Sequence, residues 1–154
     1  MSAPDFYFAV NATFRHLHDR FGKAALVDYW ESLGREYYRG RAQRWREQGP
    51  AAIAEDWRQY FLNEPQADVE VFVEDGAAKQ SVVTLDVRVC PAIKHLRDCG
   101  REIVPYFCEH CDHVCGATAQ AAGYTFERRG GMGSCQQRFV QLQCGAGSAE
   151  KGGG

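Results

Sequence analysis

Six of the seven cysteines in this 154-residue chain fall between Cys90 and Cys135, so any chemistry the chain performs is concentrated there. Cys90 precedes Pro91, Cys108, Cys111 and Cys115 follow at intervals of one helical turn and then of four residues, and Cys135 closes the run Gly131-Met132-Gly133-Ser134. Thiols in this pattern suit nucleophilic catalysis or metal ligation. Proline favours the first position of a helix, so Cys90 is expected at a helix N-cap, where unpaired amides and the dipole favour thiolate over thiol. Cys90 and Cys108 are the candidate nucleophiles, with Asp112 one turn beyond Cys108 as a candidate base. His110 and His113 point away from that helical stripe and read as exposed. Cys90, Cys108, Cys111 and Cys135 also make a candidate four-thiolate set for a divalent metal such as zinc, provided the strand ends converge on the helix. Buried reduced cysteine packs as a small hydrophobe as well, so the same residues are compatible with plain core packing.

The elements that must position these residues are legible in the periodicity. Phe6, Val10, Phe14, Leu17 and Phe21 recur at helical spacing, and the pattern resumes at Leu26, Tyr29, Trp30, Leu33 and Tyr37 after Gly22. Gly49-Pro50 ends this second helix and begins a third, with Ile53, Trp57, Tyr60 and Phe61 on its buried side. From Val69 the period changes to two: Val69, Val71 and Val73, then Val83, Leu85, Val87 and Val89 across a turn, predict a hairpin over 68–89. Pro91 starts a short helix ended by Gly100, and Pro105 a longer one over 105–121 that carries Cys108, Cys111 and Cys115 on one face. A second hairpin is predicted over 123–143. The fold class is therefore α+β: three N-terminal helices packed on an antiparallel four-stranded sheet made of two hairpins, with two intervening helices, as one domain over 1–143. Residues 144–154 have the composition of a flexible Gly-rich tail.

Composition narrows the function classes. Hydrophobic residues make up 45% of the chain, enough for a core without disulfides. The net charge of -2 argues against nucleic acid and membrane surfaces as partners and leaves small molecules ahead. The basic, aromatic stretch between Arg35 and Arg46 is diluted by Glu36 and faced by Glu31, four residues before Arg35. No secretory signal and no apolar run of the roughly 18 residues that span a bilayer is present, which places the chain in the cytoplasm and its cysteines in reduced form.

The order Cys90-Pro91, Tyr106-Phe107-Cys108-Glu109-His110-Cys111 and Gly131-Met132-Gly133-Ser134-Cys135 resembles the L-2-amino-thiazoline-4-carboxylic acid hydrolase family, and with the N-terminal helices the resemblance runs to about residue 142. It implies helices on an antiparallel sheet around an apolar pocket, similar to ligand-binding domains of the vinyl-reductase type. It also implies a hydrolase that opens a thiazoline ring at its amidine-like carbon to give a carbamoyl-cysteine. The motif carries over Cys90, Cys108 and Cys135; Cys111 stands where an acidic residue is expected, which alters either the mechanism or the metal preference. In this reading Cys90, Cys108 or a metal-activated water attacks, and Arg128 or Arg138 holds the substrate carboxylate. The alternative is a non-enzymatic ligand-binding or sensor domain whose thiols bind zinc.

Overall fold

The computed structural model describes residues 3–76 and 79–143, so the tail expected over 144–154 lies outside the described residues. Chain order is α1 (Ala3–Phe21), α2 (Lys23–Ser32), a π-helical turn (Leu33–Tyr37), α3 (Arg39–Gln48), α4 (Pro50–Leu62), β1 (Asp68–Asp75), β2 (Ser81–Val89), α5 (Pro91–Asp98), α6 (Glu109–Ala122), β3 (Tyr124–Gly131) and β4 (Ser134–Gln141). The strands form one sheet in the order β1-β2-β4-β3, antiparallel throughout. Both hairpins and the α+β class are thus as the alternation predicts. No described helix is long and apolar enough to cross a membrane.

Register decides which side chains meet the helices. One cross-sheet row runs Val71, Leu85, Gln137, Arg128, and the next row on the same face runs Val69, Val87, Cys135, Gly130. Side chains two apart share a face, so Phe139 and Phe126 extend this surface and pack against the helices. Trp45 and Trp57 lie on Phe139 with ring centroids 5.5 and 6.2 Å away. The intervening row, Phe72, Thr84, Arg138, Glu127, belongs to the opposite face.

Two buried clusters result. One joins the sheet to α3, α4 and α6 through Trp45, Ile53, Val83, Leu85, Ala119 and Phe139; the other joins α1, α2 and α5 through Phe14, Leu26, Trp30, Ile93, Leu96 and Phe107, and Cys90 packs against both. Asn11, 2% exposed, fastens α1 to the chain before α6: its Nδ2 donates to the Glu102 carbonyl at 2.9 Å and its Oδ1 accepts the Val104 N–H at 3.1 Å.

Two helices differ from the sequence expectation. The second is not continuous to Gly49 but breaks into α2, the π turn and α3. The reason lies at Gly34, where a Cβ would sit 2.6 Å from the Val114 carbonyl oxygen and 2.7 Å from the Ala117 Cβ, so the turn is pressed onto α6. The helix expected from Pro105 begins at Glu109. Residues 105–108 form tight turns closed by bonds three residues apart, Phe107 to Val104 at 3.0 Å and Glu109 to Tyr106 at 3.1 Å, geometry typical of a helix start.

Candidate functional site

A cavity of about 530 Å³ opens between the N-terminal helices and the end of the sheet where α5 and α6 begin. Its wall holds Cys90, Cys108, Cys111, Cys115 and Cys135 together with Phe6, Tyr7, Phe14, Tyr38, Tyr60 and Phe107. The thiols expected to gather do gather, all unpaired. Cys99 is exposed and lies 3.6 Å from His95 Nε2, apart from this wall. Facing a common cavity is not the same as ligating a common ion, however. Among the described residues no group of three or more His, Cys, Asp or Glu side chains is disposed to hold a metal ion. The set Cys90, Cys108, Cys111, Cys135 therefore does not fit zinc in this arrangement: the four thiols line one cavity without three of them converging at the short bonds a thiolate site needs.

Each thiol is placed by its element. Cys90 is the N-cap of α5, and its main-chain N–H donates at 2.8 Å to the Gly133 carbonyl in the β3–β4 turn. The thiolate expected there is not favoured. Burial pushes the Cys90 thiol up to about 11, outweighing the Ile93 and Ala92 amides, which act in the other direction without forming a side-chain capping bond. Cys108 is the N-cap of α6, and its Sγ accepts the Met132 N–H at 3.1 Å. Met132 and Gly133 both have positive φ, 52° and 129°, the twist a two-residue hairpin turn demands. A Cβ at Gly131 would lie 3.0 Å from Arg128 Nη1 but only in ordinary contact, 3.5 Å, with the Cys108 Cβ. Burial raises Cys108, with the Met132 amide opposing. Burial also raises Cys135, whose sulfur accepts from Gln137 Nε2 at 3.5 Å, raises Cys111 to about 12, and raises Cys115 well above the ordinary thiol value.

His110 is the residue the sequence reading missed. It lines the cavity, with its ring against Phe107 and Phe14 at centroid distances of 5.1 and 5.4 Å. Nδ1 bonds the Phe107 carbonyl oxygen, and Nε2 is 3.5 Å from Cys111 Sγ. A carbonyl only accepts, so Nδ1 carries the proton and Nε2 of the neutral ring is free to accept from the thiol. Burial lowers His110, the Phe107 carbonyl and Asp112 oppose, and Arg128 adds to the lowering. The resting pair is therefore imidazole and thiol, both neutral. The signal was present: Phe107, His110, Cys111, Val114, Cys115 and Thr118 are spaced as one helix face, which includes His110 once the stripe is rotated by a residue from the one drawn through Cys108.

Asp112, expected as a base for Cys108, makes its hydrogen bonds to another residue. It meets Arg128 through two parallel bonds, Nε to Oδ1 at 2.9 Å and Nη2 to Oδ2 at 2.6 Å, while Arg128 Nη1 donates to the Gly130 carbonyl. This fork on a carboxylate is the geometry guanidinium favours, and it engages both Asp112 oxygens. Arg128 does reach the cavity wall; Arg138 does not, because strand alternation puts it on the far face, 3.6 Å from Glu127. His113 faces Glu31 at 3.3 Å and, with Asp112, lines a separate shallow depression. The Tyr7 and Tyr60 hydroxyls, from two further lining residues, lie 3.2 Å apart, and burial pushes both up.

No family model, no curated protein and no solved structure matches this chain.

Proposed function

We propose that the protein is a small-molecule hydrolase that opens a thiazoline or a related carbon–nitrogen ring, with Cys111 as the attacking thiol and His110 as its proton acceptor. The observation that carries this reading is the 3.5 Å approach of His110 Nε2 to Cys111 Sγ on the wall of the cavity, with the ring held from behind by the Phe107 carbonyl. A nucleophile beside a base that is itself oriented by a third group is the general arrangement of thiol catalysis.

The chemistry balances without an oxidant. Cys111 sulfur bonds to the ring carbon as His110 takes the thiol proton, and that proton then goes to the ring heteroatom that leaves. Water adds to the carbon now attached to Cys111, and Cys111 departs as a thiol. One water is consumed, and the product is a ring-opened amide or urea. Because the resting pair is neutral, deprotonation and attack proceed together, as in general-base catalysis. Cys108 and Cys90 are supporting thiols in this reading, and a reducing cytoplasm would keep them free.

One observation favours a second reading, a ligand-binding domain without turnover: burial raises every thiol on the wall, and inert buried cysteines behave this way. Incubation with a 2-alkyl-thiazoline separates the two. Ring opening that releases one thiol per substrate supports the hydrolase. Saturable binding with no product supports the binding domain.

A further inference from the structure

We propose that this cavity takes an uncharged, predominantly apolar ligand and turns away carboxylates. The inference takes from the hydrolase reading only that the cavity is the substrate site, and it reverses the carboxylate-binding role expected of Arg128.

Among the described residues lining the cavity, Arg128 is the one formally charged side chain. Its guanidinium is already committed: Nε and Nη2 to Asp112, Nη1 to the Gly130 carbonyl. A ligand carboxylate would have to compete with a bidentate carboxylate held on the adjoining helix. Taking a charge out of water without an available partner is costly, so the wall offers an anion little return. The other polar atoms are neutral. The Tyr7 and Tyr60 hydroxyls share a hydrogen bond at 3.2 Å, Tyr7 also pairs with Glu64, and His110 is neutral with Nδ1 already bonded. Burial holds the thiols protonated and the imidazole unprotonated. Thr13, Ser134 and Gln137 add neutral polar side chains, and most of the rest of the wall is aromatic and aliphatic, including Phe6, Phe14, Phe61 and Val114. A cavity of about 530 Å³ with this lining falls in the range of small-molecule sites that bury most of their ligand.

The test compares two ligands with the same tail, 1-decanol and decanoate, as displacers of the neutral fluorophore N-phenyl-1-naphthylamine from the whole chain at pH 7.5. The expected result is saturable fluorophore binding, with decanol displacing it at a concentration at least tenfold below decanoate. Asp112→Asn removes the anion from Arg128 and should narrow that ratio several-fold by improving decanoate alone. Ala9→Phe, which fills the cavity wall, should weaken both. Decanoate displacing as well as decanol from the wild type would overturn the proposal, as would fluorophore binding that never saturates; both readings stand without the variants. Because binding is measured without turnover, failure of the hydrolase reading leaves this result intact, and a carboxylate-preferring cavity would leave the hydrolase reading standing.

Discussion

The main-chain N–H of Met132, at the tip of one hairpin, donates to the sulfur of Cys108 at the start of α6, 3.1 Å away. This bond gives Cys108 an amide to stabilise its thiolate, as the Ile93 and Ala92 amides do at Cys90, whereas Cys115, 8% exposed, has no such amide among its causes and is raised well above the ordinary thiol value by burial. Alkylation with iodoacetamide, followed by peptide mass, should therefore modify exposed Cys99 first, then Cys108, with Cys115 last. Labelling of Cys115 before Cys108 in the folded protein would contradict the assigned burial.

The π turn pressed onto α6 predicts a steric effect. Gly34→Ala introduces a methyl 2.6 Å from a carbonyl oxygen that belongs to helix backbone, so relief requires one helix to move. Overpacking of this kind costs about 1–3 kcal/mol. Urea unfolding should show a lower midpoint with an unchanged slope.

Trp45 is 1% exposed and its indole N–H donates to Asp56 Oδ2 at 2.6 Å. Asp56→Ala leaves that buried donor without its acceptor, a loss of about 1–3 kcal/mol. Arg44, which shares Asp56, is a surface residue, and Arg44→Ala should change stability by less than about 1 kcal/mol. Equal losses in the two variants would show that the indole bond contributes nothing special.

The parts of this molecule that follow from period alone were legible in its sequence. The alternation of Val69 to Val73 and Val83 to Val89 gives the first hairpin, and Gly49-Pro50 gives a helix boundary. Parity also discriminates between the two arginines: Arg128 shares a face with Phe126, whereas Arg138 is one residue from Phe139 and so faces away. The stripe through Cys108, Cys111 and Cys115 does face the cavity, but drawn from those residues alone it is too narrow and leaves out His110. Three features have no local signature at all. Asn11 reaching Glu102 and Val104 depends on contacts some ninety residues distant. The π turn depends on how closely Gly34 approaches α6. The neutral state of Cys90 depends on burial between two clusters, which overrides the helix terminus that its sequence neighbours announce.

Acid should act through His110. Its folded pKa is lowered by burial from the ordinary value, so between the folded value and about 6.5 the unfolded chain binds more protons. The stability due to neutral His110 is fully present above about 6.5 and is lost as pH falls through the lower, folded value. Comparing unfolding midpoints from pH 7 downward, His110→Gln should show a shallower loss than the wild type. The same group sets the acid limb of any turnover: kcat/KM should rise with pH through a value below the ordinary histidine value, since only the unprotonated ring accepts a proton. An acid limb above about 6.5 would exclude His110 as the base.

The central claim is that Cys111 attacks with His110 as its base, and intact-protein mass spectrometry of acid-quenched turnover tests it most directly. With a 2-alkyl-thiazoline, the wild type should carry a substrate-mass adduct that fragmentation assigns to Cys111. Cys111→Ser should carry none, and both Cys111→Ser and His110→Gln should lose turnover by about 10²-fold or more, while Cys108→Ser keeps its adduct. An adduct on Cys108, or full turnover by folded Cys111→Ser, would contradict the account.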